Sequence, residues 1–402
     1  MASLKRGGPL QGLRVVELTK IWAGPEAGKH LAFMGAEVIK IETNAALDFT
    51  RFDTLTGDIN KARGFMSVNP QKLSAQIDIK SKAGVDLVLD LLSHSDMLID
   101  NLRPGAMERL GLHWDAVRAV NPRIVQVTMG MYGNDGPLTH QTGYAPCFCA
   151  IGGLSAQVGY KDQPPTGINM RYGDSSYGTA AAYAGLVALL HSRRTGIGQF
   201  VDVSAVECMT TMIADTMMDF ALNGTEQTCD GTRHAEMAPH GVYRCRGGDW
   251  ISIAVSSDAG WAALADVMGQ EGLAGDARFA DLAARKANED ALDELVSDWA
   301  SVRDCNGMVG VLQGRGVAAG KSCNSMDLVT DAQLWQRGFF PEVSQPDATI
   351  RPIVGPGAKI SRPAQICDDA PWLGADTDYV LRDILGLSAD ARASLKESGI
   401  TG

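Results

Sequence analysis

The chain has 402 residues, 45% of them hydrophobic, and a formal net charge of −11 at pH 7. This length is sufficient for a large buried core and for two domains. The acidic balance and the scattered basic residues argue against a nucleic-acid partner and against electrostatic binding to a membrane. The polar first eight residues and the lack of a 20-residue apolar segment predict a cytoplasmic enzyme without a secretory signal or membrane span.

The eight cysteines and seven histidines show no spacing typical of a metal site. No cysteine belongs to a C-x-x-C pair, and no H-E-x-x-H sequence occurs. A G-x-S-x-G motif is also missing, which argues against a serine hydrolase. We therefore expect free thiols, no disulfide framework and no metal.

The first third of the chain alternates short β-branched runs with segments of helical apolar spacing. Strands are predicted at 13–18, 38–41, 96–100 and 123–128, and helices at 25–34, 83–93 and 114–120. This alternation predicts an α/β fold with a Rossmann-like, doubly wound parallel sheet. The turn before the first helix lacks G-x-G-x-x-G, so it is either a merely structural turn or an anion site for a coenzyme phosphate.

The remainder of the chain predicts a second, smaller α/β domain. Long helices are predicted at 176–191 and 205–222 around a strand at 200–203, then strands at 241–244 and 250–255 and helices at 261–268, 281–285 and 288–300. We divide the chain into a large coenzyme-binding domain (1–222), a small domain (223–333) and a C-terminal segment (334–402). A helix near 378–385 would return that last segment to the large domain.

One carboxylate stands directly before the predicted long helix. Asp174 lies between Gly173 and Ser175, so the simplest interpretation is a helix N-cap, where Asp is among the preferred residues. The functional interpretation is a nucleophile, exposed by a glycine-flanked turn and kept ionised by the helix dipole. The spacing does not separate these two interpretations, and both can hold.

Seven segments carry a resemblance to a known family. They are 9–18, 23–25, Gly-Ala-Glu-Val-Ile-Lys-Ile-Glu (35–42), 100–111 with its Asn-Leu-Arg-Pro-Gly, 121–125, Tyr-Gly-Asp-Ser (172–175) and Arg-Thr-Gly-Ile-Gly-Gln with its following strand (194–204). In this order they resemble the family III CoA-transferases, which include formyl-CoA transferase, carnitine CoA-transferase and the α-methylacyl-CoA racemases. The likeness extends from residue 9 to about residue 270.

The resemblance implies an enzyme that moves CoA from an acyl-CoA donor to the carboxylate of an organic acid. Asp174 would be the nucleophile, passing through an aspartyl anhydride and an aspartyl-CoA thioester. CoA would lie along the large domain, at the positions that match the family's contacts: Ile21, Ile77, Lys80, Asn101, Leu102, Arg103 and Arg109. The family also implies two interlocked chains, as a homodimer or, alternatively, as a heteromeric CoA-transferase of related chains in which this chain would be a CoA-binding subunit.

Departures from the family pattern bear on the substrate. The racemases carry an acid/base histidine near the position of Tyr144, so a transferase is favoured over the alternative of an acyl-CoA racemase or isomerase. Formyl-CoA transferases have a glutamine near Trp22 and a glycine-rich loop that 223–240 does not show, which favours an acid bulkier than formate or oxalate. Candidate substrate contacts are therefore Trp22, Arg51, Tyr144 and Arg171, with ordinary surface positions as the alternative for both arginines.

Overall fold

Six parallel strands form the sheet on which the first of two compact units is built. The structure, a computed structural model, describes residues 6–226, 229–270 and 272–402. The strands are β1 (Arg14–Leu18), β2 (Glu37–Glu42), β3 (Leu73–Gln76), β4 (Met97–Asp100), β5 (Val125–Gly130) and β6 (Gln199–Ser204). Their order is β3-β2-β1-β4-β5-β6, which confirms the predicted doubly wound α/β fold. The order reverses between β1 and β4, where such sheets bind ligands at the carboxyl ends of the strands.

Helices cover both faces of this sheet, which explains why its central strands are apolar on both sides. They are α1 (Ala23–Phe33), α2 (Arg63–Val68), α3 (Lys82–Ser93), α4 (Ala106–Leu110), α5 (Trp114–Val120), α6 (Ala145–Ile151), α7 (Met170–Thr195), α8 (Ala205–Thr210) and α9 (Ala214–Asn223). Apolar side chains of α1, α6 and α7 form the core on one face. Those of α3, α4 and α5 form the core on the other.

The helix that carries Asp174 begins earlier than predicted. It starts at Met170 rather than near residue 176, and its N-cap is Asn169, whose side chain accepts the N–H of Arg171 at 3.0 Å. Asp174 is thus the fifth residue of α7, and the N-cap interpretation is wrong. The helix ends at Gly196, which adopts φ +77° as left-handed C-terminal residues do.

The second predicted long helix is interrupted. A 3₁₀ turn at Thr211–Ile213 separates α8 from α9. The hydroxyl of Thr210 donates to the carbonyl of Val206 at 2.9 Å, and that of Thr211 to the carbonyl of Cys208 at 2.8 Å. Threonine side chains that bond back to the helix in this way favour a bend or a break.

The second compact unit combines Val158–Thr166 with Thr228–Leu334. Its antiparallel sheet has the order β7 (His240–Arg244), β8 (Trp250–Ala254), β9 (Ala318–Lys321). Its helices are α10 (Asp258–Met268), α11 (Leu282–Ala287), α12 (Glu289–Ser301), α13 (Cys305–Gly314) and α14 (Ser325–Val329). The segment 158–166 is joined to this unit by a hydrogen bond from the Gly231 N–H to the Gly159 carbonyl. The predicted small domain, 223–333, does not include this segment.

The C-terminal part of the first unit borders the edge strand β3. The helix α15 (Ala332–Gln336) crosses the boundary between the units at Trp335, and the segment after it contains β10 (Glu342–Ser344), β11 (Ile350–Pro352), α16 (Thr377–Tyr379), a π turn (Val380–Ile384) and α17 (Ala389–Glu397). The Asp376 carboxylate accepts the N–H of Ser74, and the Thr377 hydroxyl accepts that of Gln76, both at 2.9 Å. These bonds satisfy donors that an open sheet edge would expose.

Within the described ranges, no helix combines the length and apolar character that a membrane span requires. Residues 1–5, on which the expectation of a missing secretory signal partly rested, lie outside the described ranges.

The packing of α7 on α1 generates a stability prediction. A Cβ at Gly178 would lie 2.5 Å from the backbone oxygen of Ala23, so Gly178→Ala must separate the two helices. We expect a loss of about 1–3 kcal/mol in the free energy of unfolding, measured by thermal and urea denaturation. The matched control is Gly64→Ala in α2, where the nearest atom would be 3.5 Å away and stability should hold or rise. A Gly178→Ala variant as stable as the parent would contradict this packing.

Candidate active site

The turn between β1 and α1 lies where the strand order reverses and has an unusual backbone. Ile21 adopts φ +71°, a left-handed conformation that a β-branched residue rarely takes. Its N–H donates to Asp48 Oδ1 at 2.9 Å. Beside it, Asn101 accepts the N–H of Lys20 and donates to the Lys20 carbonyl, both at 2.8 Å. Asn101 follows β4, so this pair of hydrogen bonds joins the carboxyl ends of β1 and β4, the two strands that flank the switch point.

Buried charges lie beneath this turn. Lys40 Nζ is 3.2 Å from Asp48 Oδ2 and 3.7 Å from Glu17 Oε1, while Lys72 Nζ is 2.8 Å from Glu17 Oε1. Burial lowers the pKa of Lys40, but Asp48, Glu17 and Glu42 raise it above its usual value. Burial also lowers the pKa of Lys72 to about 8, although Glu17 partly opposes this. The turn therefore rests on ion pairs that water does not reach.

The carboxylate of Asp174 has no such compensation. It is partly buried, and among the described residues no hydrogen bond or ion pair reaches it. Burial alone raises its pKa from 3.8 to about 6. Burial, and not the helix dipole, therefore dominates the pKa of this group, because Asp174 lies inside α7 rather than at its N-terminus.

Aromatic and polar side chains join the β1–α1 turn to this part of α7. Trp22, the N-cap residue of α1, donates from its indole Nε1 to Ser175 Oγ at 3.2 Å. The guanidinium of Arg171 lies over the Trp22 ring, 4.9 Å from the ring centroid. Arg171 precedes Asp174 by three residues and therefore shares its helix face. Trp22, Arg171, Asp174 and Ser175 thus form one group, which we call the carboxylate cluster.

Helix α6 packs tightly against α7 beside this cluster. A Cβ at Gly173 would lie 2.6 Å from Cys149 Sγ, so only glycine fits between the two helices. Burial and the Asp174 carboxylate both raise the pKa of Cys149. One residue beyond Ser176, Tyr177 donates to the carbonyls of Gly130 and Val203 and so fixes α7 to the ends of β5 and β6.

Three predicted CoA contacts line one crevice at the carboxyl ends of β1 and β2. Ile77, Lys80 and Leu102 border a cavity of about 170 Å³, together with Lys20 and Lys40. Burial lowers the pKa of Lys20, whose side chain lies in this crevice. An apolar crevice with lysine ammonium groups at its border fits the adenine ring and phosphate groups of a coenzyme.

The other predicted contacts have different surroundings. Ile21 and Asn101 belong to the turn described above, and Arg103 lines a neighbouring cavity of about 330 Å³. Arg109 is exposed on α4, with its guanidinium next to Gly105. Tyr144, the N-cap residue of α6, is 66% exposed.

Arg51 does not fit the predicted substrate role. It is fully buried, and its guanidinium donates to both oxygens of Glu42 at 2.8 and 2.6 Å. Further bonds reach Ile59, Asn60 and Pro371. Because its donors are taken inside the fold, we remove Arg51 from the candidate substrate contacts.

Sequence reasoning missed several residues of the site. Lys20 lines the crevice, Ser175 accepts a hydrogen bond from the indole N–H of Trp22, and Cys149 lies next to Asp174. Asp48 has no local sequence signal, since its partners Ile21 and Lys40 lie elsewhere in the chain. Lys40 offered a weak signal: a lysine inside the apolar strand 37–42 requires a buried partner.

In the part of the chain that the structure describes, no group of three or more His, Cys, Asp or Glu side chains could hold a metal ion.

The fold and the site together define the class of protein. A doubly wound sheet with a crevice at its switch point and one uncompensated carboxylate beside it is typical of an α/β enzyme that binds a coenzyme-like ligand. Residues 10–377 match the model of CoA-transferase family III, so the chain belongs to this family of enzymes. The resemblance and the enzyme class predicted from the sequence are thereby confirmed.

Known proteins are similar over almost the full chain. The succinyl-CoA–D-citramalate CoA-transferase of Chloroflexus aurantiacus is 31% identical over 397 residues, which cover 98% of this chain and 99% of that protein. The alpha subunit of a succinyl-CoA–L-malate CoA-transferase from Chloroflexus aurantiacus is 30% identical, covering 98% and 92%. A CAIB/BAIF family protein from Brucella suis superimposes with a TM-score of 0.86 at 28% identity, covering 94% of this chain and all of that one.

The raised pKa of Asp174 yields a second prediction. Because the folded state disfavours the ionised form, the charge costs stability above about pH 6, and this cost disappears as the pH falls from 6 toward 4. Asp174→Asn should therefore stabilise the protein at pH 7 by about 1–2 kcal/mol and much less at pH 4. Differential scanning calorimetry at both pH values measures this. The control is Asp135→Asn at an exposed loop position, and an equal gain at pH 4 and 7 would contradict the assigned cause.

Proposed function

We propose that this enzyme transfers CoA from an acyl-CoA donor to the carboxylate of an organic acid, with Asp174 as the nucleophile. One observation carries the proposal: Asp174 is a partly buried carboxylate that has no partner among the residues the structure describes, and it lies beside the turn that borders the crevice with three predicted CoA contacts. A structural carboxylate would be paired, as Glu17 and Asp48 are. An unpaired, desolvated carboxylate is suited to attack a carbonyl.

The transfer proceeds in two halves. A carboxylate oxygen of Asp174 attacks the thioester carbonyl of the donor, and CoA leaves as its thiolate, giving a mixed anhydride. The thiolate then attacks the aspartyl carbonyl, which forms an aspartyl-CoA thioester and releases the donor acid as a carboxylate. In the second half the acceptor carboxylate attacks this thioester, and the released thiolate takes the acceptor acyl group from the new anhydride. Asp174 is regenerated as a carboxylate, so the cycle needs neither ATP nor net proton transfer.

The surroundings of Asp174 suit this role. With a pKa of about 6, the group is about nine-tenths ionised at pH 7. Partial burial removes water that would shield the attacking oxygen and would hydrolyse the anhydride. The indole bond to Ser175 and the contacts of Tyr177 hold this part of α7 in place, as a near-attack geometry requires.

We propose that CoA binds along the large domain, residues 1–222, with its adenine end in the crevice lined by Ile77, Lys80 and Leu102. Ile21 and Asn101 would contribute through the turn they form. Arg103, which precedes α4, and Arg109, in its last turn, are both exposed and would bind phosphate oxygens, which guanidinium groups do well.

For the acid, we propose a dicarboxylate or a hydroxylated relative of one. Arg171 supports this, because its guanidinium lies on the Trp22 ring within the carboxylate cluster and is held by no carboxylate in the described ranges. A second carboxylate of the substrate would supply that partner. The two Chloroflexus aurantiacus relatives are named for succinyl-CoA and for citramalate or malate, which points to the same class of acid. Tyr144, exposed at the start of α6, would border this acid.

We further propose an interlocked homodimer. One face of α7 exposes Tyr183, Val187 and Leu190, which are 71%, 52% and 52% exposed and follow helical spacing. An apolar face of this kind is typical of a subunit interface. Two of the similar proteins are alpha and beta subunits, so a heteromer with a related chain is the alternative.

Intact-protein mass spectrometry tests the function. The chain, purified alone, is incubated with succinyl-CoA, treated with hydroxylamine and digested for peptide mapping. We expect an aspartyl hydroxamate at Asp174, because both the anhydride and the thioester react with hydroxylamine. Asp174→Ala should lose the label and CoA exchange, whereas Asp86→Ala on the exposed surface of α3 should keep both. A label mapped to another residue, or normal exchange by Asp174→Ala, would overturn the assignment.

The pH dependence of the reaction gives a further prediction. Since only the ionised carboxylate attacks, kcat/KM should fall about tenfold per pH unit below pH 6, the pKa that burial gives Asp174. Initial rates with succinyl-CoA and an excess of acid acceptor, from pH 4.5 to 8, measure this limb. The acceptor is varied in parallel, so that its own ionisation is accounted for. If kcat/KM fell only near pH 4, where a solvated aspartate titrates, Asp174 would not be desolvated in the working enzyme.

A further inference from the structure

A second cavity lies on the sheet away from the carboxylate cluster. Its volume is about 330 Å³, and its floor is formed by side chains of β4 and β5. Asp100 is paired with Thr128 in the strand register, and Gln126 lies two residues before Thr128, so all three point to the same face. Helix α4 and the start of α5 form the walls. None of these three side chains takes part in the transfer proposed above.

The floor carries hydrogen-bonding capacity that the protein leaves unused. Asp100 is 1% exposed and accepts the hydroxyl of Thr128 at 2.7 Å. Gln126 is also 1% exposed and hydrogen-bonds to Asp100, while its Oε1 has no hydrogen-bond partner in the described part of the chain. A buried amide oxygen without a donor costs about 1–3 kcal/mol. Among the described residues, Gln126 Oε1 therefore lacks a donor.

The charge and the rings around the cavity indicate the same kind of ligand. The lining contains the carboxyl groups of Asp100, Glu108 and Asp115 against one guanidinium, that of Arg103. Trp114 and Phe200 contribute two rings whose centroids are 6.1 Å apart at an interplanar angle of 50°. Tilted aromatic rings beside carboxylates are a favourable environment for an organic cation. The three carboxyl groups disfavour a phosphate or a carboxylate beside Asp100, whereas the exposed Arg103 guanidinium is the group proposed above for a phosphate of CoA.

We propose that this cavity binds a small organic cation with a primary ammonium group. The ammonium N–H groups would satisfy Gln126 Oε1 and donate to the Asp100 carboxylate, and the alkyl part would lie between Trp114 and Phe200. Burial raises the pKa of Asp100 to about 7, against the bonds from Thr128, Leu102 and Gln126, so about half of this group is protonated at pH 7 and a bound cation would favour its ionised form. Leu102 lines both cavities and Arg103 lines this one, so the cavity adjoins the proposed CoA site, but Asp100 and Gln126 take no part in the transfer proposed above.

Isothermal titration calorimetry with the full chain tests the proposal, in a buffer without primary amines. The probes are n-butylammonium chloride, the neutral match 1-butanol, and tetramethylammonium chloride, which has the charge but no N–H donor. We expect saturable binding of n-butylammonium with one site per chain, weaker binding of tetramethylammonium and none of 1-butanol. Asp100→Asn and Gln126→Leu should each weaken n-butylammonium binding about tenfold or more.

Control variants separate binding from folding. Asp86→Asn on the surface of α3 should bind n-butylammonium like the parent chain. If the buried substitutions prevent folding, as judged by circular dichroism, Glu108→Gln on the exposed side of α4 replaces them and should weaken binding several-fold. The proposal would be overturned if n-butylammonium binding did not saturate, if 1-butanol bound equally well, or if the variants kept the parent affinity for n-butylammonium. Displacement of n-butylammonium by inorganic phosphate would also overturn it, because the cavity would then serve a phosphate of the coenzyme. None of these outcomes depends on transferase activity.

Discussion

A β-branched residue at positive φ costs free energy, and the site depends on the groups that hold Ile21 in that conformation. Asp48 accepts its N–H, and Asn101 holds both backbone groups of Lys20. Asp48 stays ionised because Lys40 is buried beneath it. Losing Lys40 would leave the buried Asp48 carboxylate without its cationic partner, at a cost of about 3–5 kcal/mol. The β1–α1 turn also positions Trp22 to donate to Ser175, and this hydrogen bond helps to fix the position of α7.

The distribution of buried charge separates structural from reactive groups. Glu17 and Glu42 each meet a lysine or arginine at hydrogen-bond distance. Asp174 and Asp100 do not, and burial raises the pKa of both, to about 6 and about 7. An uncompensated carboxylate is destabilising, so its presence requires another reason. At Asp174 the reason we propose is nucleophilic attack, and at Asp100 the reason we propose is a cationic ligand.

Periodicity was sufficient to predict the sheet, because every central strand is an apolar run between short links and helices. It failed where the decisive contacts are distant in sequence. Arg51 reads as a surface residue of a polar loop, yet it pairs with Glu42 and bonds Pro371. Gly173 reads as a helix breaker, which placed the predicted start of α7 six residues late and made Asp174 an N-cap. The family resemblance selected Asp174, but its desolvation is visible only in the packing of the helices.

The glycines of α7 explain both the late predicted start of this helix and the burial of Asp174. A Cβ would lie 2.6 Å from Cys149 Sγ at residue 173, 2.5 Å from the Ala23 oxygen at residue 178, and 3.0 Å from Met97 at residue 185. These glycines lower the helix propensity of α7, but they let it approach α6, α1 and the sheet more closely than any other residue would. Close approach excludes water from the flank of Asp174, and exclusion of water raises its pKa. The residues that obscure the helix in the sequence are thus the ones that bury its carboxylate.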